Sequence, residues 1–168
     1  MKKEVSIPTG ANLTAIYREL VGNYPKFFKM DTLSKLGFLL TEMLVGDDPG
    51  RFTPREDRAV LVFSRNGCLA NDLNYAKSME EDFPSPALFV YTLPNIVAGE
   101  ISIRNKYEGE TSAYVLEKYD RPLIDGIVRQ AFQDRITRDA IVAWIDCPSD
   151  TEWTAMAWIE TKSEIWKI

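Results

Sequence analysis

The sequence predicts an α/β protein built on one mostly parallel sheet with helices on both faces. Three observations carry this. Strand-like and helix-like segments alternate along the chain, the pattern of parallel strands joined by crossover helices. Two segments, Ala59-Val60-Leu61-Val62-Phe63 and Ala140-Ile141-Val142-Ala143-Trp144-Ile145, are uninterrupted apolar runs, and a strand apolar on both sides needs cover on both faces. The last two long strands are joined by a short turn, which makes that pair antiparallel. A length of 168 residues suits one domain, 1–168, and 45% apolar with 27% charged residues is the composition of a globular chain, not a disordered one.

The elements follow in order. Val5-Ser6-Ile7 reads as the centre of a first strand, 3–8. Leu13, Ile16, Tyr17 and Leu20 recur at helical spacing and predict a helix over 11–22. Asp31 is a cap for the next helix, 32–45, which is apolar on most sides and ends at Gly46, where a C′ glycine belongs. The breaker-rich stretch from Gly46 to Pro54 is a surface loop, and the strand 58–64 follows. A helix over 70–80 has Asn71 as its cap. A loop at Asp82-Phe83-Pro84-Ser85-Pro86 precedes a helix over 93–105, opened by Pro94 and interrupted by Gly99. Ala113-Tyr114-Val115-Leu116 marks a strand over 112–118. Leu123, Ile124, Ile127, Val128, Ala131, Phe132 and Ile136 form the apolar face of a helix over 121–136, capped by Asp120 or Arg121. Strands over 140–147 and 152–162 flank a Pro148-Ser149-Asp150 turn, and 163–168 reads as a short terminal strand.

Composition removes whole classes of function. The chain has no histidine, so neither a Ser-His-Asp nor a Cys-His centre can be built within it, and zinc sites with histidine ligands are excluded. Two cysteines, Cys68 and Cys147, make neither a zinc site nor a disulfide framework. A net charge of −5 argues against nucleic acid as a partner. No apolar run reaches the length of about 18 residues that a membrane span needs. The start, Met1 to Pro8, has no apolar stretch of the kind that follows the basic residues of a secretory leader, so the expected location is cytoplasmic. No phosphate-binding glycine motif and no nucleophile elbow occurs, and no cofactor is expected.

The segment from Pro84 to Val115 resembles the β-ketoacyl synthases of fatty-acid and polyketide assembly. It carries Thr92-Leu93-Pro94-Asn95, Ala98-Gly99 and Ile101-Ser102-Ile103, with Gly109 as the turn glycine before a strand. The stretch from Phe27 to Leu36 is also similar to the family, and the helix over 121–136 with the strand after it mirrors the family's active-site helix and next strand. The resemblance spans roughly residues 25–162. It implies the N-terminal half of the thiolase-like fold: a five-stranded mixed sheet in the order 3-2-1-4-5, the last strand antiparallel, with helices on both faces. It further implies that Thr92, Pro94, Asn95 and Gly99 line an acyl pocket or an interface. The family's nucleophilic cysteine sits at the start of the helix after the third strand. That position falls at Lys118 counted from Gly109 and at Asp120 counted from the Ala140 strand, and neither is cysteine. The family's two histidines belong to its C-terminal half, and the chain offers none. The family's long insertion between the fourth and fifth strands is cut to a turn.

Each functional reading has a plainer one beside it. Asp120 is a helix cap before it is an acid or base, or a pocket residue. Cys68 and Cys147 are plain buried or half-buried thiols before they are reactive ones, with no histidine to activate them. Thr92 to Asn95 opens a helix as well as lining a channel, and the two readings are compatible. Arg129, Arg135 and Arg138 could dock an acidic acyl carrier protein, but cations at a helix C-terminus are already explained by its dipole. Trp144, Trp153, Trp158 and Trp166 are core residues by default and a partner-facing patch otherwise.

In the implied sheet order the strand 112–118 is an edge. Ala113, Tyr114, Val115 and Leu116 leave it unprotected, and in ketosynthases the corresponding strand pairs antiparallel with its twin across a two-fold axis, so the resemblance and the open edge together imply a homodimer or heterodimer through this strand. The combined expectation is a non-catalytic ketosynthase-like protein, an accessory, scaffold or chain-length subunit in acyl-chain assembly, partnered by a ketosynthase-type protein, an acyl carrier protein or both. The rivals are an acyl- or small-ligand-binding protein and an enzyme working through Glu100, Glu110, Glu117 or Asp120.

Overall fold

The computed structural model describes residues 3–81 and 83–166. The sheet is best built from its middle. β2 (Arg58–Ser64) is buried along its whole length. Its side chains alternate between two apolar clusters, Val60 and Val62 on one face and Ala59, Leu61 and Phe63 on the other. β3 (Thr111–Val115) pairs parallel with β2 on one side, and β4 (Asp139–Asp146) pairs parallel on the other. β5 (Thr154–Thr161) returns antiparallel along β4, and β1 (Glu4–Ile7) runs antiparallel beside β5. The strands therefore lie in the order β3-β2-β4-β5-β1.

Helices cover both faces, as two-sided burial requires. On the first lie α1 (Leu13–Leu20), a 3-10 turn at Pro25–Lys29, α2 (Thr32–Val45) and α5 (Ile96–Asn105). On the second lie α6 (Arg121–Ala131) and α7 (Lys162–Ile165). The connection from β2 to α5 also carries α3 (Leu69–Ser78) and α4 (Pro86–Val90), packed on each other. Asp31 caps α2 by accepting the Ser34 N–H at 2.9 Å. Gly37 lets α2 approach α5, because a Cβ there would stand 2.3 Å from Cγ2 of Val97.

The N-terminal end of β2 holds a buried cation. The Arg58 guanidinium donates to both Asp139 oxygens, to Asp48 at 2.9 Å and to the Tyr107 hydroxyl at 3.2 Å. Burial alone would lower its pKa, but the bonds to Asp139 and Asp48 outweigh that and hold it above the ordinary value. Glu42, on α2, likewise takes Arg51 at 2.6 Å and Arg104 at 3.0 Å, tying the 46–54 loop and α5 to α2.

The expected mixed sheet, its antiparallel final pair, helices on both faces and the edge position of β3 are all present. One detail of the implied order differs: the chain's first strand lies beyond β5, not between β2 and β4. Glu4-Val5-Ser6-Ile7 buries only Ile7, so it suits an edge, and β4 takes the interior place beside β2 directly. The expected terminal strand is a corrected element too. Residues 162–165 form the single turn α7 and bury Ile165, while 167 and 168 lie outside the described residues. α6 stops at Ala131, short of the expected 136, because the Asp134 carboxylate accepts the N–H groups of Ile136 and Thr137 and turns the chain. Ile136 is consequently exposed. Asn71 does not cap α3: Cys68 holds that position, and the buried Asn71 amide donates to the Leu88 carbonyl at 2.8 Å. α4 was not foreseen; Ser85 caps it and Pro86 opens it. Gly46 closes α2 with right-handed backbone.

Gly109, read as a turn glycine, is required by proximity. A Cβ there would lie 2.5 Å from the Arg58 carbonyl oxygen and 2.8 Å from that of Glu56. These are backbone atoms of the central strand and its approach, which cannot swing aside. Gly109→Ala is expected to lower stability by about 2 kcal/mol, read as a reduced midpoint in urea denaturation with an unchanged slope.

Candidate functional site

The topology itself selects a place. β2 reaches β3 over the first face, and β3 reaches β4 over the second through α6. Adjacent parallel strands whose connections leave on opposite faces open a crevice at their C-terminal ends, where open α/β sheets take ligands. Here those ends are Ser64 to Cys68 after β2 and Leu116 to Asp120 after β3, with Asp146 and Cys147 at the end of neighbouring β4 on the other side of β2.

The crevice is filled by the protein's own groups. Gly67 adopts a φ of +56°, bending the chain off β2. One Asp146 carboxylate oxygen accepts the N–H of Arg65 at 3.0 Å and of Asn66 at 2.7 Å, and the Asn66 amide donates to both oxygens. These backbone donors would suit an anion, and Asp146 already supplies one. Beside them Asp31, Cys68, Asn71, Cys147 and Asp150 close round a space with no room for a water molecule. Asp150 takes the Thr32 hydroxyl at 2.7 Å and the Asn74 amide at 2.8 Å. Burial is the main cause that holds the Asp31 pKa above the usual carboxylate range.

Both thiols belong to this wall. Burial first, then the bond to Asp72, pushes the Cys68 thiol up to about 12. Its Sγ donates to the Thr92 carbonyl at 2.9 Å. Burial, with Asp31 next, pushes Cys147 up as well. Neither is poised as a nucleophile, since the thiolate is the reactive form. Both are free thiols.

The resemblance-derived residues fall into two groups. Thr92 and Pro94 are half-buried near the crevice: Thr92 holds Cys68, and Pro94 packs at Gly67, as does Val115 from the end of β3. Asn95 is exposed, stands at the N-cap of α5 and makes no side-chain capping bond. Gly99 lies within α5 with open space where a Cβ would go. Asp120 starts α6, accepting the Leu123 N–H at 3.0 Å. Around it the Tyr119 ring meets Trp144 edge-on at 5.4 Å, and the Arg121 guanidinium lies 3.9 Å from the Trp158 ring centre and pairs with Asp125 at 2.8 Å. Lys118 is exposed just before this start. Trp144, Trp153 and Trp158 are buried, whereas Trp166 is exposed.

The other carboxylates do not converge. Glu100 is buried on α5, taking the Tyr91 hydroxyl at 3.0 Å and the Lys26 ammonium at 2.7 Å. Glu110 and Glu117 flank β3 at opposite ends, roughly 20 Å apart along a strand. Among the described residues no group of three His, Cys, Asp or Glu side chains could hold a metal ion. Arg129, Arg135 and Arg138 lie towards and beyond the C-terminus of α6, about 16 Å along the helix from Asp120. Arg129 itself donates to the Ile165 carbonyl at 3.4 Å. Asp146 carries no sequence signal of its own; the Asn66-Gly67 turn pair, two residues beyond the apolar run 59–63, is the feature that could have pointed to its surroundings.

No family model and no curated protein sequence matches the chain. Solved structures do. "The ishigamide ketosynthase/chain length factor" superposes with a TM-score of 0.72 at 15% identity, covering 92% of this chain and 49% of that one. A ketosynthase in complex with its chain length factor from Xenorhabdus doucetiae gives 0.62 at 13%, covering 94% and 76%. A type II polyketide synthase acyl-carrier protein in complex with its ketosynthase gives 0.63 at 13%, covering 97% and 63%. The chain thus has the thiolase-like ketosynthase fold and spans about half the length of the first of these.

Two outcomes test this description. Asp120→Ala is expected to cost about 1 kcal/mol, as the loss of a cap does, measured by thermal or urea denaturation; no change would show that its bond to Leu123 is idle. At pH 8 both thiols are expected to alkylate at least about tenfold more slowly in the native protein than in urea, read by mass spectrometry of iodoacetamide adducts. Fast labelling of either would contradict the assignment.

Proposed function

We propose that this protein is a non-catalytic ketosynthase-like subunit, acting as an accessory, scaffold or chain-length component of fatty-acid or polyketide-type acyl-chain assembly. One observation carries the reading. The ketosynthase-type fold is kept, while the helix start after β3 carries a capping aspartate, Asp120, in a chain with no histidine. A carboxylate locked to a backbone N–H cannot carry an acyl group as a thiolate does. The space at the ends of β2 and β4 is closed by Asp146, Cys68 and Cys147. The structural neighbours support the same reading, since two are described with a chain length factor and one with an acyl-carrier protein.

The partner in this reading is a ketosynthase-type protein, an acyl carrier protein or both, in the cytoplasm. No described helix is long and apolar enough to cross a membrane. β3 lies at the sheet edge. It is the natural contact for either a ketosynthase-type chain or a second copy. A second reading, an acyl-binding protein, is favoured by one feature: an open apolar groove of about 310 Å³ between β1, α1 and α2, lined by Ile7, Pro8, Ile16, Leu20 and Met43.

Co-purification with a type II ketosynthase and its acyl carrier protein separates these. The expected result is a stoichiometric complex, with no condensing or decarboxylating activity from the pure chain. Absence of any association, with tight binding of a fatty acyl probe that is lost in Leu20→Glu, would favour the second reading instead.

A further inference from the structure

The sheet has a second open edge, at β1. Its register follows from one bond: Ile159 N–H donates to the Lys3 carbonyl, and Val5 and Ile7 lie opposite Ala157 and Ala155. Bonded positions alternate along an antiparallel pair, so Lys3, Val5 and Ile7 bond inward to β5. Glu4 and Ser6 therefore turn their N–H and C=O groups outward, and no strand lies beyond β1 among the described residues. Pro8 has no N–H, and its carbonyl is taken by Ala11 N–H at 3.2 Å, so the open row stops there.

Both ends of this short edge are pinned. The Lys3 ammonium donates to the Leu44 carbonyl in α2. The Trp153 indole N–H donates to the Ile7 carbonyl at 3.2 Å, and the Thr9 hydroxyl accepts the Trp153 backbone N–H at 3.1 Å. A strand held this way is ordered before anything pairs with it, which lowers the cost of pairing.

The open apolar groove runs beside this edge. Its walls are Ile7 and Pro8 from β1, Ile16 and Leu20 from α1, and Met43 from α2. Side chains alternate between the faces of a strand. Val5 and Ile7 face the cluster that α1 and α2 cover, whereas Glu4, opposite Trp158, faces the other side. A strand added antiparallel to β1 would exchange backbone bonds with Glu4 and Ser6. It would set the residues opposite Val5 and Ile7 on the groove side. The groove volume of about 310 Å³ is at the lower end of ligand pockets, room for side chains but not for a large ligand. An open edge beside an apolar, helix-walled groove is the arrangement that binds extended peptides by strand addition.

Charge and burial select the occupant. Glu4 on the edge and Glu19 on the groove wall are both exposed acids, and the chain carries a net charge of −5. Lys3, the base nearest on the strand, is turned to Leu44. The rim admits a basic segment and repels an acidic one. A second copy of β1 does not fit, because it would bring Val5 and Ile7 to the groove side, and both are already packed in their own core.

We infer that β1 and this groove bind an extended segment of a partner polypeptide by antiparallel strand addition, with apolar residues on the groove side and Lys or Arg opposite Glu4. The site arises from the outer placement of the first strand, away from β3 and the crevice, and it does not depend on the proposed function.

The test is fluorescence anisotropy of a labelled peptide, Ser-Leu-Thr-Leu-Arg-Ser, titrated with the full chain. In antiparallel register its leucines stand opposite Ile7 and Val5 and its arginine opposite Glu4. Saturable one-to-one binding with a Kd below about 1 mM is expected. Serine in place of both leucines, or glutamate in place of the arginine, is expected to weaken it at least about tenfold. Ser6→Pro removes an N–H that makes no bond to β5, so the edge tolerates it. Ser6→Pro and Leu20→Glu, the second at an exposed position, are each expected to weaken binding at least about tenfold with unchanged circular dichroism. Glu4→Lys is expected to reverse the preference, so that the glutamate peptide binds better than the arginine one, and this reversal reads the site even where Ser6→Pro does not fold. No saturation below about 1 mM, wild-type affinity in Ser6→Pro and Leu20→Glu, or no reversal in Glu4→Lys would overturn the inference. A fatty acyl probe that binds where the peptide does not would also overturn it and would favour the acyl-binding reading. None of these outcomes bears on association with a ketosynthase, which co-purification reads separately.

Discussion

The structure depends on β2 being buried on both faces and paired on both edges. Seven residues from Arg58 to Ser64 have no access to solvent that matters. Such a strand needs parallel neighbours, and parallel neighbours need crossover helices. Because β3 and β4 take opposite sides of β2, the crossovers occupy opposite faces, and the two strand ends open at one crevice. The same burial sets the chemistry at the other end. Arg58 enters the sheet as a cation, and its four hydrogen bonds to Asp139, Asp48 and Tyr107 make that tolerable.

The groups gathered at the crevice are bonded to one another. The topology delivers backbone N–H groups, a helix start and two cysteines to one end of the sheet, materials from which acyl-transfer sites are made. Each is already used internally. Asp146 holds the donors, Asp120 takes the helix start, and burial beside Asp31 and Asp72 keeps the thiols protonated. Groups satisfied in this way agree with the proposed non-catalytic role.

Much of this was legible in the residues. The apolar runs of β2 and β4, Asp31 before α2 and Asp120 before α6 announced strands and caps by local chemistry, and local chemistry decided them. The edge position of β3 also followed. Three of the misses share a cause: they turned on contacts made between different elements. β1 pairs with β5 across the whole chain, so nothing in Glu4 to Ile7 says which edge it joins. Asn71 looked like a cap but is drawn inside by Leu88. Asp146 gave no signal of its own, because its partners at Arg65 and Asn66 are brought near only by the β2–β4 pairing. The end of α6 was missed for a local reason, the Asp134 turn, which competes with apolar periodicity and wins.

The proposed role has the chain keep a ketosynthase fold in order to act on a partner's chemistry. A reconstituted ketosynthase and carrier protein, run with and without this protein and read by mass spectrometry of the carrier-bound products, puts that role to the test. A subunit of this kind shifts product length or yield in a way that saturates near one equivalent, with no acyl adduct on this chain. Identical products with and without it, or an acyl group covalently carried by the chain itself, would rule the role out.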